Sequence, residues 1–349
     1  MTTTVRAPSS ALTALVVGSR YLPVYLALVL LVIVAAVWAP NALGSVPLRA
    51  VAPYAAVLGM AALGQMLVVM TGGIDLSAPG TMSLAAAIMV GVGAGSDENV
   101  GAAIVTALVA AVAVGLVNGI LIGGFKLNAL IVTLAVGLIV IGVVRRYGNT
   151  FPVQNPVPEG WSDWVSSRLF GVSRAYWIGL LITVALSLVL RYTALGRRFQ
   201  VVGANPVASN VVGVRVSLNQ IFAYVGAAVL YAVAGLALSG LIERPGVYVG
   251  SQYLLAPIAA VVIGGASLTG GLASPFATFA AAVFLTGLNQ MMLTMGLPTS
   301  LQFVVFGLVI IGGMLVSGDR IIKGVEQLLR ERRRPSRSEV QEILSPINE

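Results

Sequence analysis

Long runs of apolar residues separated by short polar stretches form the main pattern along this chain. A helix that crosses the hydrocarbon core of a bilayer needs about 20 apolar residues, with a range of about 17–25. Because unpaired backbone is not tolerated against lipid, each run of that length is predicted to be a helix. Ten spans are predicted, although the eighth is short and could form one long broken element with the ninth. They cover 21–39, 50–71, 79–95, 101–124, 128–146, 175–192, 218–242, 254–268, 272–294 and 299–317.

The composition of the chain agrees with this pattern. Of its 349 residues, 58% are hydrophobic and only 9% are charged, whereas a soluble domain carries about 25% charged residues. A globular core of this size cannot hide the surplus, so the predicted fold class is an all-α integral membrane protein. The chain has no Cys and no His, which excludes disulfides, thiol or imidazole catalysis and His/Cys metal sites.

The distribution of Lys and Arg predicts the orientation of the spans. With ten crossings and a cytoplasmic N-terminus, fourteen of the twenty basic residues fall on the cytoplasmic side, as the positive-inside rule expects. Basic residues beside a membrane meet anionic headgroups, so the net charge of +8 does not require nucleic acid as a partner. The predicted division is a cytoplasmic N-terminus at 1–20, a transmembrane domain at 21–317 with a cytoplasmic loop at 192–218, and a basic cytoplasmic tail at 318–349.

The two ends of the chain carry weaker signals. The N-terminal segment lacks a short apolar core followed by a cleavage site, so no removable signal peptide is expected. The tail has apolar residues at helical spacing and a basic opposite face, which predicts an interfacial helix on the cytoplasmic leaflet or a segment that binds a partner. These apolar positions are Ile321, Ile322, Val325, Leu328 and Leu329.

The sequence contains an internal repeat. Three segments of the first half recur in the same order in the second half, at an offset of 192 residues for the first segment and 170–172 for the others. Spans 2–5 therefore match spans 7–10. Because matching spans are five spans apart, an odd number, the two halves are predicted to cross the membrane in opposite directions, as in many transporters. The pairs are "VVMTGGIDLS" with "AVVIGGASLT", "GLVNG" with "GLNQ", and "KLNALIVTLAVGLIVIG" with "GLPTSLQFVVFGLVIIG".

Each half has a helix break rich in glycine and proline, at Gly72–Pro79 and at Gly264–Pro275. The two breaks are expected to occupy corresponding positions near a translocation path between the halves. The first break carries Asp75 and Ser77, which are suited to cap the N-terminus of the next helix. In the alternative, functional interpretation they line the path or move as it opens, because an ionisable residue at membrane depth is a functional candidate.

No span holds a buried Lys, Arg, Glu or His, whereas an ion-coupled carrier usually needs an intramembrane acid or a comparable site to hold its proton. Amides suit a neutral, hydroxyl-rich solute better than an ion, and the repeat places Asn118 and Asn289 at equivalent positions. Hydrogen bonding between helices is the alternative role for such amides. Thr133 and Gln302 are further neutral polar residues. The candidate path-lining residues are Gln65, Asp75, Ser77, Asn118, Asn128, Asn289 and Gln290.

A long polar loop between spans 6 and 7, predicted to be cytoplasmic, contains a short helical stretch at Pro206–Val212. Asn205 is placed to cap its N-terminus and Gly213 its C-terminus. A bare loop would not need caps at both ends, so the pattern predicts a projecting helix that docks into a soluble partner. A solvated loop is the alternative.

Taken together, these motifs resemble the permeases of bacterial ABC importers, in the branch that includes the ribose, xylose and galactose permeases. The loop of that branch runs roughly T-x-x-G-R, then G-x-N-x-x-A-A, then G-[IV]-x-V, and "GGIDLS" at 72–77 and "AVVIGGASLTGG" at 260–271 also match. The resemblance covers the chain from about span 2 to span 10. The matching loop positions are Thr193, Gly196, Arg197, Gly203, Asn205, Ala208, Gly213, Val214 and Val216, with Ser209 in place of the second Ala.

The resemblance implies a transport subunit, not an enzyme, that carries a monosaccharide or related polyol inward across the bacterial cytoplasmic membrane. It implies three partners: a separate ATPase subunit, an extracytoplasmic solute-binding protein, and a second permease subunit, identical or related. The chain has no Gly-x-x-x-x-Gly-Lys-[Ser/Thr] loop to cradle phosphates, so ATP is expected in the partner, with no cofactor or metal here. The implied ATPase-coupling residues are Gly196, Arg197, Gly203, Asn205, Ala208 and Gly213.

One position departs from the branch. Its members often carry an Arg before a Gly near the outer end of span 5, whereas here Ile141 precedes Gly142 and the arginines come later, at Arg145 and Arg146. The solute stays open among ribose, xylose, galactose, a sugar alcohol and a furanose signalling sugar. An ion-coupled secondary carrier with the same inverted repeat is the alternative function, while a membrane enzyme would need a convergent set of titratable groups that the spans lack.

Overall fold

The structure is a computed structural model that describes residues 20–148 and 156–317. This part of the chain folds into α-helices, short helical turns and one two-stranded hairpin, β1 (Arg168–Leu169) with β2 (Val172–Ser173). The predicted interfacial helix of the tail lies outside the described residues. The helices are α1 (Leu22–Trp38), α2 (Ser45–Met70), α3 (Ala78–Gly93), α4 (Val100–Gly119), α5 (Ala129–Gly148), α6 (Glu159–Ser166), α7 (Arg174–Tyr192), α8 (Ala194–Ala204), α9 (Pro206–Val211), α10 (Val216–Ile242), α11 (Ala256–Ile263), α12 (Pro275–Thr294) and α13 (Thr299–Ser317).

Six helical segments within the described residues are long and apolar enough to cross a membrane: α2, α4 with its flanking turns, α5, α7, α10 and α12. Four further apolar segments are shorter, at Leu22–Trp38, Ala78–Gly93, Ser251–Ile263 and Ser300–Gly313. The prediction of an all-α membrane protein is therefore confirmed. Ten crossings stay a prediction, because six is the number of segments within the described residues that are both long and apolar enough to count as spans.

Helix α2 lies at the centre of the bundle. Every residue from Ala55 to Met70 is buried, and the helix packs against α7, α10, α11 and α12. A helix surrounded in this way is apolar on all its faces, which explains the absence of any polar stripe along it. The helices at the periphery instead leave large apolar side chains exposed, among them Val105, Ile131 and Leu181, as expected for surfaces that face lipid.

A stripe of glycines brings α4 and the turn after it into backbone contact with α10. Gly115, Gly119 and Gly123 recur at every fourth position and so lie on one helix face. A Cβ atom on Gly119 would lie 2.8 Å from the Cα of Ile221, and one on Gly123 would lie 2.8 Å from the carbonyl oxygen of Ser217. Small residues at this spacing let membrane helices approach closely, which joins the first half of the chain to the second.

Helices α2 and α11 end in the same way, at the two predicted breaks. The N–H of Gly73 donates to the carbonyl of Val68, and the N–H of Ala266 donates to the carbonyl of Val261, both at 3.1 Å. The glycine before each donor has a positive φ, +84° in the first break and +79° in the second. Together these features form the Schellman motif, in which glycine is favoured because it adopts the left-handed conformation without strain.

The prediction that the two breaks occupy corresponding positions is wrong. The first lies between α2 and α3, the first and second helices of its half, whereas the second lies between α11 and α12, the second and third helices of the other half. The sequence offset between the two halves is 192 residues at the breaks and 170–172 residues after them. The offset falls because α3 follows the first break, whereas no corresponding helix follows the second break.

The eighth predicted span, 254–268, is shorter in the structure because α11 ends at Ile263. It is also a separate element from α12, since residues 264–274 are not helical. The connection that leads into α11 runs beside α3, where the N–H of Gly250 donates to the hydroxyl of Ser83 at 3.0 Å. A non-helical segment of the second half is thus held by a side chain of the first.

Four connections meet at one end of the bundle: 71–77, 120–128, 193–215 and 264–274. The N–H of Gly271 donates to the carbonyl of Met70 at 2.9 Å, and Nζ of Lys126 donates to the hydroxyl of Ser217 at 3.1 Å. These are the four internal connections that the charge pattern assigns to the cytoplasm, so the packing agrees with the predicted alternation of the spans.

Candidate functional site

A cluster of buried polar side chains, which we name the Asp75 cluster, lies where the first break meets α4. Oδ1 of Asp75 accepts hydrogen bonds from the N–H and the hydroxyl of Ser77 at 2.8 and 2.6 Å. The hydroxyl oxygen of Ser77 in turn accepts one from Nδ2 of Asn118 at 2.9 Å. The exposed fractions of these side chains are at most 1%. The structure therefore brings three of the predicted path-lining residues together.

Gln65 joins the Asp75 cluster from α2. With its amide oriented to satisfy every partner, its nitrogen lies 2.9 Å from the backbone carbonyl of Asp75 and 2.9 Å from the hydroxyl of Tyr231, and its oxygen accepts the N–H of Asp75 at 3.1 Å. A neighbouring contact ties the break to α5, because the N–H of Leu76 donates to Oγ1 of Thr133 at 2.9 Å. The break is thus bonded to α2, α4 and α5, and Tyr231 of α10 reaches it through Gln65.

The structure corrects the capping role predicted for Ser77, whereas Asp75 accepts the N–H of Ser77 at the entrance of α3. Ser77 occupies the N-cap position of α3, but its side chain accepts no hydrogen bond from the first turn of that helix. Its hydroxyl is engaged instead by Asp75 and Asn118. The pair therefore links elements that are distant in sequence, which a cap would not do.

The other three predicted path-lining residues lie elsewhere. Asn128 caps α5, because its Oδ1 accepts the N–H groups of Leu130 and Ile131 at 3.0 and 3.3 Å. Asn289 and Gln290 are half-buried on α12, and neither side chain is bonded to the Asp75 cluster within the described residues. Asn118 and Asn289, paired by the repeat, thus have different surroundings.

The loop between α7 and α10 folds into the two short helices α8 and α9, each with a side-chain N-cap. Oγ1 of Thr193 accepts the N–H of Gly196 at 3.4 Å, and Oδ1 of Asn205 accepts the N–H of Ala208 at 3.0 Å. Gly213, at a φ of +80°, follows the end of α9. The predicted short helix with a cap at each end is confirmed, at Pro206–Val211.

The inner face of this loop contacts both helix breaks through Gly203. A Cβ atom on Gly203 would collide with the carbonyl oxygen of Met70 and the backbone nitrogen of Gly271, the two groups that are hydrogen-bonded to each other. Gly196 is buried in the same manner against the backbone of Leu190. Gly196 and Gly203 therefore face the membrane helices, and the coupling role predicted for them would act through these internal contacts.

The outer face of the loop is apolar and open. Val207, Val211 and Val212 are 74%, 83% and 72% exposed, and we name them the valine surface. Ala208, next to Val207 in the chain, and Arg197 on α8 are also exposed. Sequence reasoning missed these valines, and the signal that could have found them is three apolar side chains within and directly after a short capped helix.

Comparison with known proteins gives a match over most of the chain. The family described as "Branched-chain amino acid transport system / permease component" matches residues 47–314. The chain belongs to this family. It is a membrane-spanning permease subunit of an ABC importer, and this supports the transporter interpretation over an enzyme.

Curated relatives of the permease are importers of small solutes. The ribose import permease protein RbsC of Escherichia coli is 30% identical over 300 residues, which cover 84% of this chain and 92% of that protein. The protein of the same name from Bacillus subtilis is also 30% identical over 300 residues, with 84% and 91% covered. The autoinducer 2 import system permease protein LsrC of Yersinia pseudotuberculosis is 26% identical over 279 residues, with 80% and 79% covered. No solved structure matches the chain.

Two tyrosines of the permease were not singled out from the sequence. Tyr224 and Tyr231 are each at most 1% exposed, and a spacing of seven places them on one face of α10. Tyr231 contacts Gln65. The hydroxyl of Tyr224 packs closely on Gly73, because a Cβ atom on Gly73 would lie 2.5 Å from that hydroxyl. Their spacing in a helix otherwise rich in Ala and Val was the signal available.

We expect Ser77→Ala to destabilise the permease by about 1–3 kcal/mol, because the buried amide of Asn118 loses its acceptor and the carboxylate of Asp75 loses a donor. The measurement is the apparent unfolding temperature of the purified permease in detergent. Ser239→Ala is the matched control, since Ser239 is also fully buried but donates only to the carbonyl of Leu236 in its own helix. Equal melting temperatures for the two variants would contradict a structural role for the cluster.

Proposed function

We propose that this permease carries a neutral, hydroxyl-rich solute, a monosaccharide or related polyol, inward across the bacterial cytoplasmic membrane. The observation that carries the proposal is the contact of one loop, through Gly203, with both helix breaks, while its opposite face exposes the valine surface. Such a loop can pass the movement of a bound motor to the membrane helices. The names of the relatives, importers of ribose and of autoinducer 2, support the solute class.

The proposal includes ten crossings, with both termini cytoplasmic, and an inverted repeat of α2–α5 with α10–α13. Its support is a reciprocal packing of the two sets of helices. Helix α2 packs on α11 and α12 of the other set, while α10 packs on α3 and α4 of the first, and α2 and α10 pack on each other. Each set of helices therefore places one helix against the helices of the other set. This packing is expected of two repeats related by a pseudo-twofold axis.

The partners follow from the two ends of the molecule. A cytoplasmic ATPase subunit, which binds the ATP, docks on the valine surface, since exposed apolar patches mark interaction sites. An extracytoplasmic solute-binding protein delivers the solute at the opposite end, where α6 and the β1–β2 hairpin lie. A second permease subunit, identical or related, completes the membrane part, and the chain itself needs no cofactor or metal.

Closure of the ATPase would push on α9. Because α8 is packed on Met70 and Gly271 through Gly203, the push reaches the end of α2 and the second break together. The two sets of helices then tilt relative to each other, and access to the path alternates between the two sides. The Asp75 cluster keeps the first break joined to α2, α4 and α10 during this movement.

Reconstitution into proteoliposomes with the ATPase subunit and a loaded solute-binding protein tests the function. We expect inward uptake of radiolabelled D-ribose, D-xylose or D-galactose that requires ATP and persists when an ionophore collapses the proton gradient. An ion-coupled secondary carrier would give the opposite dependence. Uptake that continues without ATP and stops with the ionophore would overturn the proposal.

A further inference from the structure

The β1–β2 hairpin lies at a boundary of the hydrocarbon core, because the helix that follows it is only just long enough to cross. Helix α7 has 19 residues, which rise about 28 Å in total, while the core is about 30 Å thick. The whole helix is needed to cross, so Arg174, its first residue, lies at one boundary. At the other end, the guanidinium carbon of Arg191 lies 5.5 Å from the ring centroid of Tyr192, which is exposed. Tyrosine and arginine are typical of such boundaries.

The tip of the hairpin folds back onto the first turn of α7. Nε1 of Trp177 donates to the carbonyl of Leu169 at 3.0 Å. The ring of Phe170 meets that of Trp177 edge to face, with 6.4 Å between the ring centroids and an angle of 79° between the ring planes. Trp177 is the fourth residue of α7, so it lies about 4.5 Å further into the bilayer than Arg174. The tip therefore lies at the depth of the bilayer interface.

The side of α7 that carries Trp177 faces lipid. Trp177, Leu181, Val184 and Leu188 are spaced by four, three and four residues, which places them on one helix face. All four side chains are exposed, as expected of apolar residues that contact the hydrocarbon. Phe170, which is 88% exposed, packs on Trp177 and continues this apolar face at its edge.

The backbone at the tip shows that Phe170 is not there to form the turn. Phe170 has a φ of +53° and Gly171 a φ of +82°, so both central residues of the two-residue loop are in the left-handed region. Such a loop favours Asn, Asp or Gly at its first position, and a bulky residue with a positive φ is strained. An exposed aromatic ring held in a strained turn indicates that the ring itself has a partner.

The base of the hairpin is basic. Arg168 is exposed and pairs with Ser173 across the two strands, and the guanidinium carbon of Arg174 lies 5.9 Å from the ring centroid of Trp164. Arginine offers several N–H donors to a phosphate, and basic residues beside a membrane meet anionic headgroups. The apolar tip lies deeper than this basic base. A phospholipid has the same order, with its acyl chains deeper than its phosphate.

We propose that the β1–β2 hairpin is a membrane anchor, in which Leu169 and Phe170 insert between phospholipids beside Trp177 while Arg168 and Arg174 bind the lipid phosphates. In the orientation that the charge pattern predicts, these lipids belong to the outer leaflet. The inference goes beyond the proposed function, because it names a lipid partner and does not depend on the transported solute. The anchor lies at the end of α7 opposite the valine surface, so binding of the ATPase subunit does not depend on it.

Fluorescence quenching at a single labelled position tests the anchor. The chain has no Cys, so Phe170→Cys can carry bimane, an apolar aromatic label, as the one label of the full-length permease. The labelled permease is then assembled with its ATPase subunit in nanodiscs of phosphatidylcholine and phosphatidylglycerol. Leu181→Cys, on the lipid-facing side of α7, and Glu98→Cys, in the exposed turn before α4, are the matched controls.

We expect the label at position 170 to be quenched by nitroxide-bearing lipid, as at 181, and to be protected from aqueous iodide, unlike the label at 98. Moving a phenylalanine side chain out of water favours the inserted state at least about tenfold, so the tip should be inserted in most molecules. Arg168→Gln together with Arg174→Gln should raise iodide quenching at 170, since each arginine near an anionic surface strengthens membrane binding about fivefold.

Iodide quenching at 170 as strong as at 98 would overturn the anchor. Protection from iodide that appears only when the loaded solute-binding protein is added would assign the tip to docking of that protein. Protection from both quenchers would mean that a second permease subunit covers the tip, and either of these results also overturns the proposal. Unchanged iodide quenching in the double arginine variant would overturn the phosphate contacts.

Discussion

Replacing Gly203 by alanine is expected to reduce ATP-driven uptake at least about tenfold while the permease still inserts in the membrane. The added methyl group would meet the carbonyl of Met70 and the N–H of Gly271, which are backbone atoms and cannot turn aside like a flexible side chain. Overpacking of this kind costs about 1–3 kcal/mol. The loop must then move away from both breaks, and its contact with the membrane helices is lost.

The measurement for Gly203→Ala is uptake and ATP hydrolysis by the same proteoliposomes. We expect hydrolysis to continue while uptake falls, because the valine surface is untouched and only the inner contact is disturbed. Gly142→Ala is the control, since a Cβ atom at that helical position meets nothing within 4 Å. Wild-type uptake in the Gly203 variant would show that the contact with the two breaks does not transmit the movement.

Replacing Val211 by glutamate is expected to prevent the ATPase subunit from binding. Val211 is 83% exposed and central in the valine surface, so the permease itself loses no internal contact. Burying a carboxylate without a partner in an interface is strongly unfavourable, and truncating a central interface residue commonly costs more than about 1 kcal/mol. We expect binding to weaken at least about tenfold and uptake to fall with it.

Co-purification of the ATPase subunit with the tagged permease measures this effect. Phe170→Glu is the control, because Phe170 is an 88% exposed apolar residue on the hairpin at the opposite end of α7 and should leave ATPase binding unchanged. Normal recovery of the ATPase with Val211→Glu would place the docking surface elsewhere. The two variants also separate two steps of the transport cycle. Val211→Glu prevents docking of the ATPase subunit, whereas Gly203→Ala leaves the ATPase docked but prevents its movement from reaching the membrane helices.

The local signals in the sequence were sufficient for the elements of the fold. Ten apolar runs mark the apolar helices, Gly72 and Gly265 mark two helix ends, and Asn205 and Gly213 mark the ends of α9. These features depend on hydrophobicity and on backbone conformation close along the chain. A bilayer tolerates no unpaired backbone, so there are few alternatives for such a sequence.

The candidate site was predictable only in part. Gln65, Asp75, Ser77 and Asn118 stood out because polar residues are rare in these spans, and the structure brings them together. Asn289 and Gln290 stood out for the same reason and lie apart from that cluster. Composition reveals which side chains are unusual, but it carries no information on which of them are neighbours.

The sequence by itself determined that this protein is a helical membrane protein of the importer-permease family, because apolar length, motif order and turn residues are properties of the chain alone. The tertiary structure decided the inward contact of Gly203, the exposure of the valine surface, and the different places of the two breaks. Each of these depends on the distance between segments that are far apart in sequence. That distance is fixed by helix packing, which local patterns do not encode.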